Sequence, residues 1–148
     1  MSTGLVLSQS VFEKLLKNFV DFEEGYKNII DDYFPVHNEE RISFIELITE
    51  YIKRFNKTLE NITFQEEYEN CFPFVIIGSE VEIQDIDHDE TFKYRIVLPA
   101  ERDIENDYIS FLSPVGMALL LKEKDDTVTV NTPNGVYRYR VRSIQLPC

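Results

Sequence analysis

The first half of the chain carries apolar residues at alternating steps of three and four positions. The first series is Phe12, Leu15, Phe19, Phe22, Tyr26, Ile29 and Tyr33. The second series is Ile45, Ile48, Ile52, Phe55, Leu59 and Ile62. This spacing places each series along one side of an α-helix, as the seam of a coiled coil requires. Because Pro35 ends the first helix and Asn38 is suited to cap the second, we predict an antiparallel coiled-coil helical hairpin.

The second predicted helix has more apolar residues than this seam uses. Ile42, Phe44, Leu47 and Tyr51 fall outside the series, and a two-stranded hairpin does not bury all of them. Three explanations stay open: contact with the rest of the chain, pairing of two chains, or a surface for a partner.

The second half of the chain has the pattern of β-strands. Short apolar or alternating runs occupy residues 75–77, 80–86, 92–97, 108–112, 128–130 and 136–141. Asn134 and Gly135 predict a tight hairpin between the last two strands. One short helix begins at Pro114, because Ser113 is suited to cap it. The predicted fold class is α+β, with a helical hairpin in residues 1–72 and a sheet with one short helix in residues 73–148.

The composition is that of a globular protein with a strongly acidic surface. Of 148 residues 43% are hydrophobic, and 27 acidic against 15 basic side chains give a formal charge of −12. Such a surface repels a phosphate backbone, so direct binding to naked nucleic acid is disfavoured. No run has the length of a membrane span, and the N-terminus lacks the pattern of a signal peptide. We expect a reduced, cytoplasmic protein in which Cys71, set among aromatic residues, is buried and inert.

Acidic residues are concentrated where the two predicted helices meet. Asp31, Asp32, Glu39 and Glu40 flank the connection, together with His37. Clustered carboxylates at the end of a long arm suit a Mg²⁺ ion that also binds phosphates or a partner's carboxylates. A solvated loop beside an acidic helix N-terminus explains the same residues. The chemistry of the residues alone favours the solvated loop.

Other candidate groups do not predict an activity of the chain's own. It lacks a glycine-rich phosphate loop and a nucleophile motif, and His37 and His88 lie far apart in polar turns. Residues 85–90 resemble a calcium loop only superficially, since its glycine and distal glutamate are missing.

The last predicted strand has an arginine at every second position of one face. These residues are Arg138, Arg140 and Arg142. Such a row contacts phosphate, an acidic protein surface or, most commonly, carboxylates on neighbouring strands.

Several segments of the second half form an ordered set, in which Ser113-Pro114-Val115-Gly116 precedes Ala118-Leu119-Leu120. The other members are residues 74–81, 94–97, 109–110 and 128–135. This set resembles the C-terminal domain of the bacterial Gre transcript-cleavage factors, and it covers about half of the chain. The resemblance implies an FKBP-like fold, in which a twisted antiparallel sheet wraps on a short helix and docks on RNA polymerase.

The same resemblance implies where the polymerase is bound. The docking residues would be those of the loop before the short helix, namely Leu112, Ser113, Pro114 and Gly116. Family members often have a polar residue in place of Leu112 and a small residue in place of Leu121. Both differences imply an altered docking surface.

In the Gre family a coiled-coil hairpin precedes this domain and enters the secondary channel of the polymerase. Its acidic tip helps to hold the second catalytic Mg²⁺, and the polymerase then cleaves its own backtracked RNA. Asp31, Asp32, Glu39 and Glu40 correspond to that tip by position but not by spacing. We expect Asp32, nearer the turn, to matter more than Asp31, because neighbouring helical residues point in different directions.

The resemblance therefore implies a transcription elongation factor that is not itself an enzyme. Its partner is bacterial RNA polymerase, and RNA is contacted only within that complex. We expect no cofactor or metal on the free protein and a Mg²⁺ ion shared with the polymerase active centre. Both a monomer and a dimer stay open.

Two other functions are weighed against this one. The missing tip spacing and the surplus apolar residues Phe44, Leu47 and Tyr51 favour a polymerase-binding regulator, or a competitor of Gre factors, without cleavage stimulation. A prolyl isomerase, suggested by the FKBP-like shape alone, is the least favoured.

Overall fold

The computed structural model describes residues 5–65 and 71–147, in two compact units, Met1–Tyr68 and Glu69–Cys148. The first unit holds the two long helices, and the second holds a five-stranded sheet with one short helix. This is the predicted α+β class. Part of the connection predicted before residue 73 lies outside the described residues. Within those residues, no helix is both long enough and apolar enough to cross a bilayer.

Two capped helices form the hairpin of the first unit. Helix α1 covers Gln9–Tyr33, and the Ser8 hydroxyl oxygen accepts a backbone hydrogen bond at its start. Helix α2 covers Glu39–Leu59 and is capped in the same way by the side chain of Asn38. The predicted cap of the second helix is therefore confirmed.

The interior of the hairpin uses a different side of α2 from the one that the spacing predicts. The buried residues of α2 are Phe44, Ile48, Tyr51 and Phe55. Ile45 is 37% exposed and Ile52 is half-buried, so the predicted seam is wrong at these two positions. The observed seam also follows steps of four and three, and it places larger aromatic side chains in the interior.

Ring contacts between the helices stabilise this choice of side. Phe55 stacks on Phe19 with ring centroids 3.9 Å apart. Tyr51 meets the ring of Phe22 edge-on at 5.5 Å. An aromatic side chain buries more apolar area than an isoleucine and gains from specific ring geometry, so Tyr51 displaces Ile52 from the seam.

The shifted seam buries two of the four surplus apolar residues for which the spacing left three explanations open. Phe44 and Tyr51 are buried and are unavailable to a partner while the hairpin is folded. Leu47 is half-buried, and Ile42 is 56% exposed. The hypothesis of a regulator without cleavage activity therefore loses the support of Phe44 and Tyr51.

The first helix also differs from its predicted seam near both ends. Val11 and Ile30 are buried, whereas the spacing selects their neighbours Phe12 and Ile29, which are half-buried. The Phe12 ring instead packs edge-on against Phe64, with centroids 5.2 Å apart. This contact draws Phe12 out of the seam, and Val11 fills the interior position.

A short parallel ladder beside the helices was not anticipated by the sequence analysis. Strand β1, Leu5–Leu7, pairs in parallel with strand β2, Ile62–Phe64, and the Leu7 side chain is fully buried. Ile62 thus lies in a strand and not in the second helix as predicted. Strands of three residues are too short for their periodicity to be recognised in a sequence.

The sheet of the second unit has five strands. They are β3 (Glu80–Asp85), β4 (Glu90–Val97), β5 (Tyr108–Ser110), β6 (Thr127–Thr132) and β7 (Gly135–Gln145). Their spatial order is β5-β4-β3-β7-β6, and only β4 and β5 pair in parallel. The prediction of a wholly antiparallel sheet is wrong at this edge, because the long connection after β4 returns the chain before β5 begins. The FKBP-like topology that the resemblance implies stays a prediction.

Residues 75–77, predicted as a strand, lie outside the sheet. The Val75 N–H donates to the Lys122 carbonyl at 2.9 Å, and the Val75 carbonyl accepts from the Leu121 N–H at 2.9 Å. The chain then turns into β3 at Gly78, whose φ of 99° favours glycine. The bend predicted at Gly78 is thus confirmed, while the apolar run before it fills the core.

Cys71 is exposed, which contradicts the prediction of a buried thiol. Its neighbours Phe72 and Phe74 are buried and pack edge-on with centroids 5.1 Å apart. Because the two phenylalanines take the interior positions of this extended segment, Cys71 faces the solvent.

Candidate functional site

The hairpin tip, residues 30–41, contains a short connection between the helices, residues 34–38, which is held by backbone and ring contacts. The Phe34 N–H closes the last turn of α1 by donating to a carbonyl one turn back, at 2.8 Å. The Phe34 ring stacks on Phe44 of α2 with centroids 4.4 Å apart. The side chains of Tyr33 and Val36 are exposed. The tip is therefore a defined turn with apolar side chains in the solvent.

Arg41 joins the two helices at the tip. Its Nη1 donates to the Phe34 carbonyl at 2.8 Å, and its Nη2 donates to Asp31 Oδ1 at 3.3 Å. Its backbone N–H donates to Asn38 Oδ1 at 3.1 Å. The sequence analysis missed this residue. The sequence feature that could have indicated it is its position three residues after the cap Asn38. From there a long side chain reaches back towards the start of the helix.

The four predicted tip carboxylates are not equivalent. Asp31 is paired with Arg41, although its side chain is 70% exposed and solvent screens the pair. Asp32, Glu39 and Glu40 are exposed and have no hydrogen bond or ion pair with any described residue. Glu39 and Glu40 lie in the first turn of α2, where the helix dipole favours negative charge. The tip thus presents three carboxylates without a counter-charge.

These carboxylates lack the arrangement of a closed metal site. Among the described residues, no group of three or more His, Cys, Asp or Glu side chains is placed to hold a metal ion. Mg²⁺ requires six oxygen ligands in near-octahedral geometry and is commonly held by one or two carboxylates plus phosphates and water. A shared site, in which a partner supplies the remaining oxygens, stays a prediction for these residues.

The turn between β3 and β4 is organised by Asp85. Its Oδ1 accepts the N–H groups of Asp87 and His88 at 3.1 and 3.2 Å. Its Oδ2 lies 3.0 Å from His88 Nδ1. These contacts hold the turn, so the predicted turn is confirmed for residues 86–89, whereas Asp85 and Glu90 lie at the ends of β3 and β4.

The second candidate site is the turn from β5 into the short helix α3, Pro114–Leu119. The Ser113 hydroxyl donates to the Ser110 carbonyl at 2.7 Å and accepts from the Gly116 N–H at 3.1 Å. The predicted cap at Ser113 and the predicted helix start are confirmed. One hydroxyl therefore holds the end of the strand and the start of the helix together.

The predicted docking residues differ in accessibility. Pro114 is exposed, Leu112 and Ser113 are half-buried, and Gly116 is buried. A Cβ at Gly116 would come within 3.0 Å of the Ser110 carbonyl oxygen, so glycine permits a close approach of helix and strand. Gly116 therefore shapes the turn between β5 and α3. The role of these residues in polymerase binding stays a prediction.

Gly116→Ala should destabilise the second unit by about 1–3 kcal/mol, because the added methyl group meets backbone atoms that cannot move aside. Urea unfolding of the full chain, followed by NMR signals of the sheet, measures the change. Gly25→Ala is the matched control, since nothing lies within 4 Å of a Cβ there. Alanine at that helical position should stabilise the hairpin by up to about 1 kcal/mol. An unchanged second unit in Gly116→Ala would contradict the close approach.

The three arginines on the outer face of β7 have different partners. Arg138 holds Asp87 in a fork, with Nη2 2.6 Å from Oδ1 and Nε 3.3 Å from Oδ2. The hydrogen-bonded and charged Arg138 holds the pKa of Asp87 below its ordinary value. Arg142 donates to Gln84 Oε1 at 3.2 Å, and Arg140 has no such partner among the described residues. Among the described residues, Arg138 is thus the one arginine of this row that neutralises a carboxylate, and that carboxylate lies in the turn between β3 and β4 rather than on a strand.

Comparison with known proteins places these features in a family. Residues 71–146, half of the chain, match the family model described as "Transcription elongation factor, GreA/GreB, C-term". Transcription elongation factor GreA of Clostridium kluyveri is 33% identical over 132 residues, which are 89% of this chain and 77% of that protein. GreA of Pseudomonas syringae pv. tomato is 42% identical over 71 residues, 48% of this chain and 45% of that protein.

A solved structure agrees on the fold. Prokaryotic transcription elongation factor GreA/GreB from Nitrosomonas europaea aligns over 95% of this chain and 98% of its own, with 23% identity and a TM-score of 0.52. That likeness supports the order of two long helices followed by a mixed sheet with a short helix. The family match and the Clostridium relative extend the similarity over most of the chain. This chain therefore belongs to the GreA/GreB family of transcription elongation factors.

Proposed function

We propose that this chain binds bacterial RNA polymerase through its second unit and inserts the tip of its hairpin into the secondary channel. There the free carboxylates at the tip, Asp32, Glu39 and Glu40, supply one or two ligands to a Mg²⁺ ion of the polymerase active centre. The polymerase then cleaves its own backtracked RNA. The chain acts as a factor and not as the enzyme.

The observation that carries this proposal is the set of three unpaired carboxylates at the end of a long arm. Helix α1 has 25 residues, so the arm is about 37 Å long at 1.5 Å per residue. An exposed carboxylate without a counter-charge keeps its oxygens available to a cation. Because Mg²⁺ commonly takes only one or two protein carboxylates beside phosphates and water, a partial ligand set is sufficient.

The charge of the chain is compatible with this role. A formal charge of −12 opposes a direct approach to the RNA backbone. A divalent cation between the tip and the RNA reverses the sign of that local interaction. The acidic tip is therefore suited to bind a Mg²⁺ ion, which in turn binds the RNA phosphate.

A second candidate is a regulator that occupies the channel without stimulating cleavage. The ion pair between Arg41 and Asp31 favours it, since it offsets one of the four tip carboxylates. In this function the hairpin competes with other factors for the channel, and the remaining carboxylates do not reach the metal.

A cleavage assay on purified bacterial core polymerase in a backtracked complex separates the two functions. We expect the wild-type chain to accelerate endonucleolytic shortening of the RNA 3′ end, and the chain without polymerase to leave the RNA intact. Binding without acceleration would identify the regulator. No complex at micromolar concentrations would reject both functions for that polymerase.

Pro114→Glu should weaken polymerase capture on the order of tenfold, if the exposed start of α3 lies in the interface. The carboxylate adds a charge that must be desolvated there, while glutamate is well tolerated in the first turn of a helix. Pro133→Glu makes the same change at another exposed proline of the same unit and should bind like the wild type. Equal affinities of the two variants, measured by pull-down or interferometry, would move the docking surface elsewhere.

A further inference from the structure

Arg41 is a charged residue at the tip whose side chain is only 17% exposed. Removing a guanidinium from water is unfavourable unless its donors find acceptors. Here the two acceptors are the Asp31 carboxylate on α1 and the carbonyl of Phe34, the residue that follows the last turn of α1. These two hydrogen bonds therefore fix the position of the Arg41 side chain at the tip.

The geometry of these contacts makes Arg41 a clamp across the turn. The Phe34 carbonyl lies at the C-terminal end of α1, where helical carbonyls have no partner within the helix. Arg41 supplies that partner from α2 at 2.8 Å. A planar guanidinium directs its donors at fixed angles, so binding two acceptors at once restricts how α1 ends relative to α2.

The same contact selects among the tip carboxylates. The positive charge of Arg41 lies against Asp31, whereas Asp32 has no described partner. Glu39 and Glu40 precede Arg41 directly in the first turn of α2. Clamping Arg41 to the end of α1 therefore also sets the distance between Asp32 on one helix and the two glutamates on the other.

We propose that Arg41 is a positioning residue that orders the tip through the Phe34 carbonyl and withholds Asp31 from the metal. The tip then presents Asp32 on α1 and Glu39 and Glu40 on α2 in a fixed arrangement, from which a Mg²⁺ ion of the polymerase takes one or two ligands. This inference rests on the proposed function, since it assigns roles within the same tip.

Three variants test the clamp in the full chain with core polymerase. Arg41→Met removes the charge and the fork, and Arg41→Lys keeps the charge without the fork. Lys53→Met, at an exposed position of α2, is the matched control for loss of one positive charge. At saturating protein, Arg41→Met should cleave backtracked RNA about tenfold more slowly, because misplaced ligands lose orientation. Arg41→Lys should recover only part of that loss, and Lys53→Met should equal the wild type.

The dependence on Mg²⁺ distinguishes positioning from a general loss of folded protein. Loss of Arg41 leaves the Asp31 charge uncompensated, so the tip should attract Mg²⁺ more strongly. Its misplaced ligands should nevertheless give a lower maximal cleavage rate. The concentration for half-maximal cleavage should fall by about twofold after screening by salt, although the maximal rate is lower. A smaller folded fraction would lower the rate without moving this concentration.

Amide hydrogen exchange on the free chain tests the clamp without polymerase. The reporters are the N–H groups of Phe34, Asn38 and Arg41, which are hydrogen-bonded within the tip. Their protection should fall by about tenfold in Arg41→Met and stay unchanged in Lys53→Met. If the wild type itself stimulates no cleavage, the proposed function fails, and exchange alone decides whether Arg41 orders the tip.

Several results would overturn the inference. These are wild-type cleavage by Arg41→Met, complete recovery in Arg41→Lys, or a cleavage loss matched by an equal loss of polymerase affinity. Unchanged protection of the three amides in Arg41→Met would also reject it, because a clamp that orders nothing cannot position a ligand.

Discussion

Asp32→Asn should lower the rate of RNA cleavage in a backtracked complex by about 10²–10³-fold, the scale lost with one preorganised electrostatic group. Asparagine keeps the size of the side chain but removes the charge that attracts a divalent cation. Asp32 is exposed and unpaired, so the change breaks no contact within the hairpin. Polymerase affinity should therefore change little, and the loss should appear in the rate at saturating protein.

Two comparisons make this result specific. Asp31→Asn should cost less than Asp32→Asn, because Arg41 already offsets the Asp31 charge. Glu46→Gln removes one exposed carboxylate from α2 away from the tip and should cleave at the wild-type rate. Equal losses in all three variants would indicate an effect of net charge, and a wild-type rate in Asp32→Asn would reject Asp32 as a ligand of the proposed Mg²⁺ ion.

Phe44→Ala should destabilise the hairpin by about 3–5 kcal/mol, as expected for a buried phenylalanine. Phe44 is 3% exposed and stacks on Phe34 at the tip, so its loss leaves a cavity between the helices. Urea unfolding followed by circular dichroism at 222 nm reports mainly on these two helices. The midpoint should fall clearly, with little change in the slope.

The neighbouring residue is the control for the choice of seam. Ile45 belongs to the series that the spacing selects but is 37% exposed. Ile45→Ala should therefore cost no more than about 1 kcal/mol. A larger loss in Ile45→Ala than in Phe44→Ala would restore the seam predicted from the spacing and contradict the packing described above.

Much of the candidate site was accessible from the sequence because it depends on short-range chemistry. Ser113 caps α3 through contacts within three residues, and the ordered segments around it carry the resemblance to the Gre family. The acidic character of the tip could be recognised in the same way. The difference between Asp31 and Asp32 through an ion pair could not, because it depends on Arg41 in the other helix.

By itself, the sequence determined the class of fold, the end of the first long helix, the start of the second, and the turns at Gly78 and Ser113. Asn38, Gly78 and Ser113 act through their own backbone and nearest neighbours, so their roles hold in any surroundings. Tertiary structure decided which side of α2 is buried, that Cys71 faces the solvent, and that β5 pairs in parallel with β4. In each case two local arrangements satisfy the same sequence pattern. For α2 and Cys71 the arrangement that buries more apolar area is the one found, and for β5 the free edge of β4 sets the pairing.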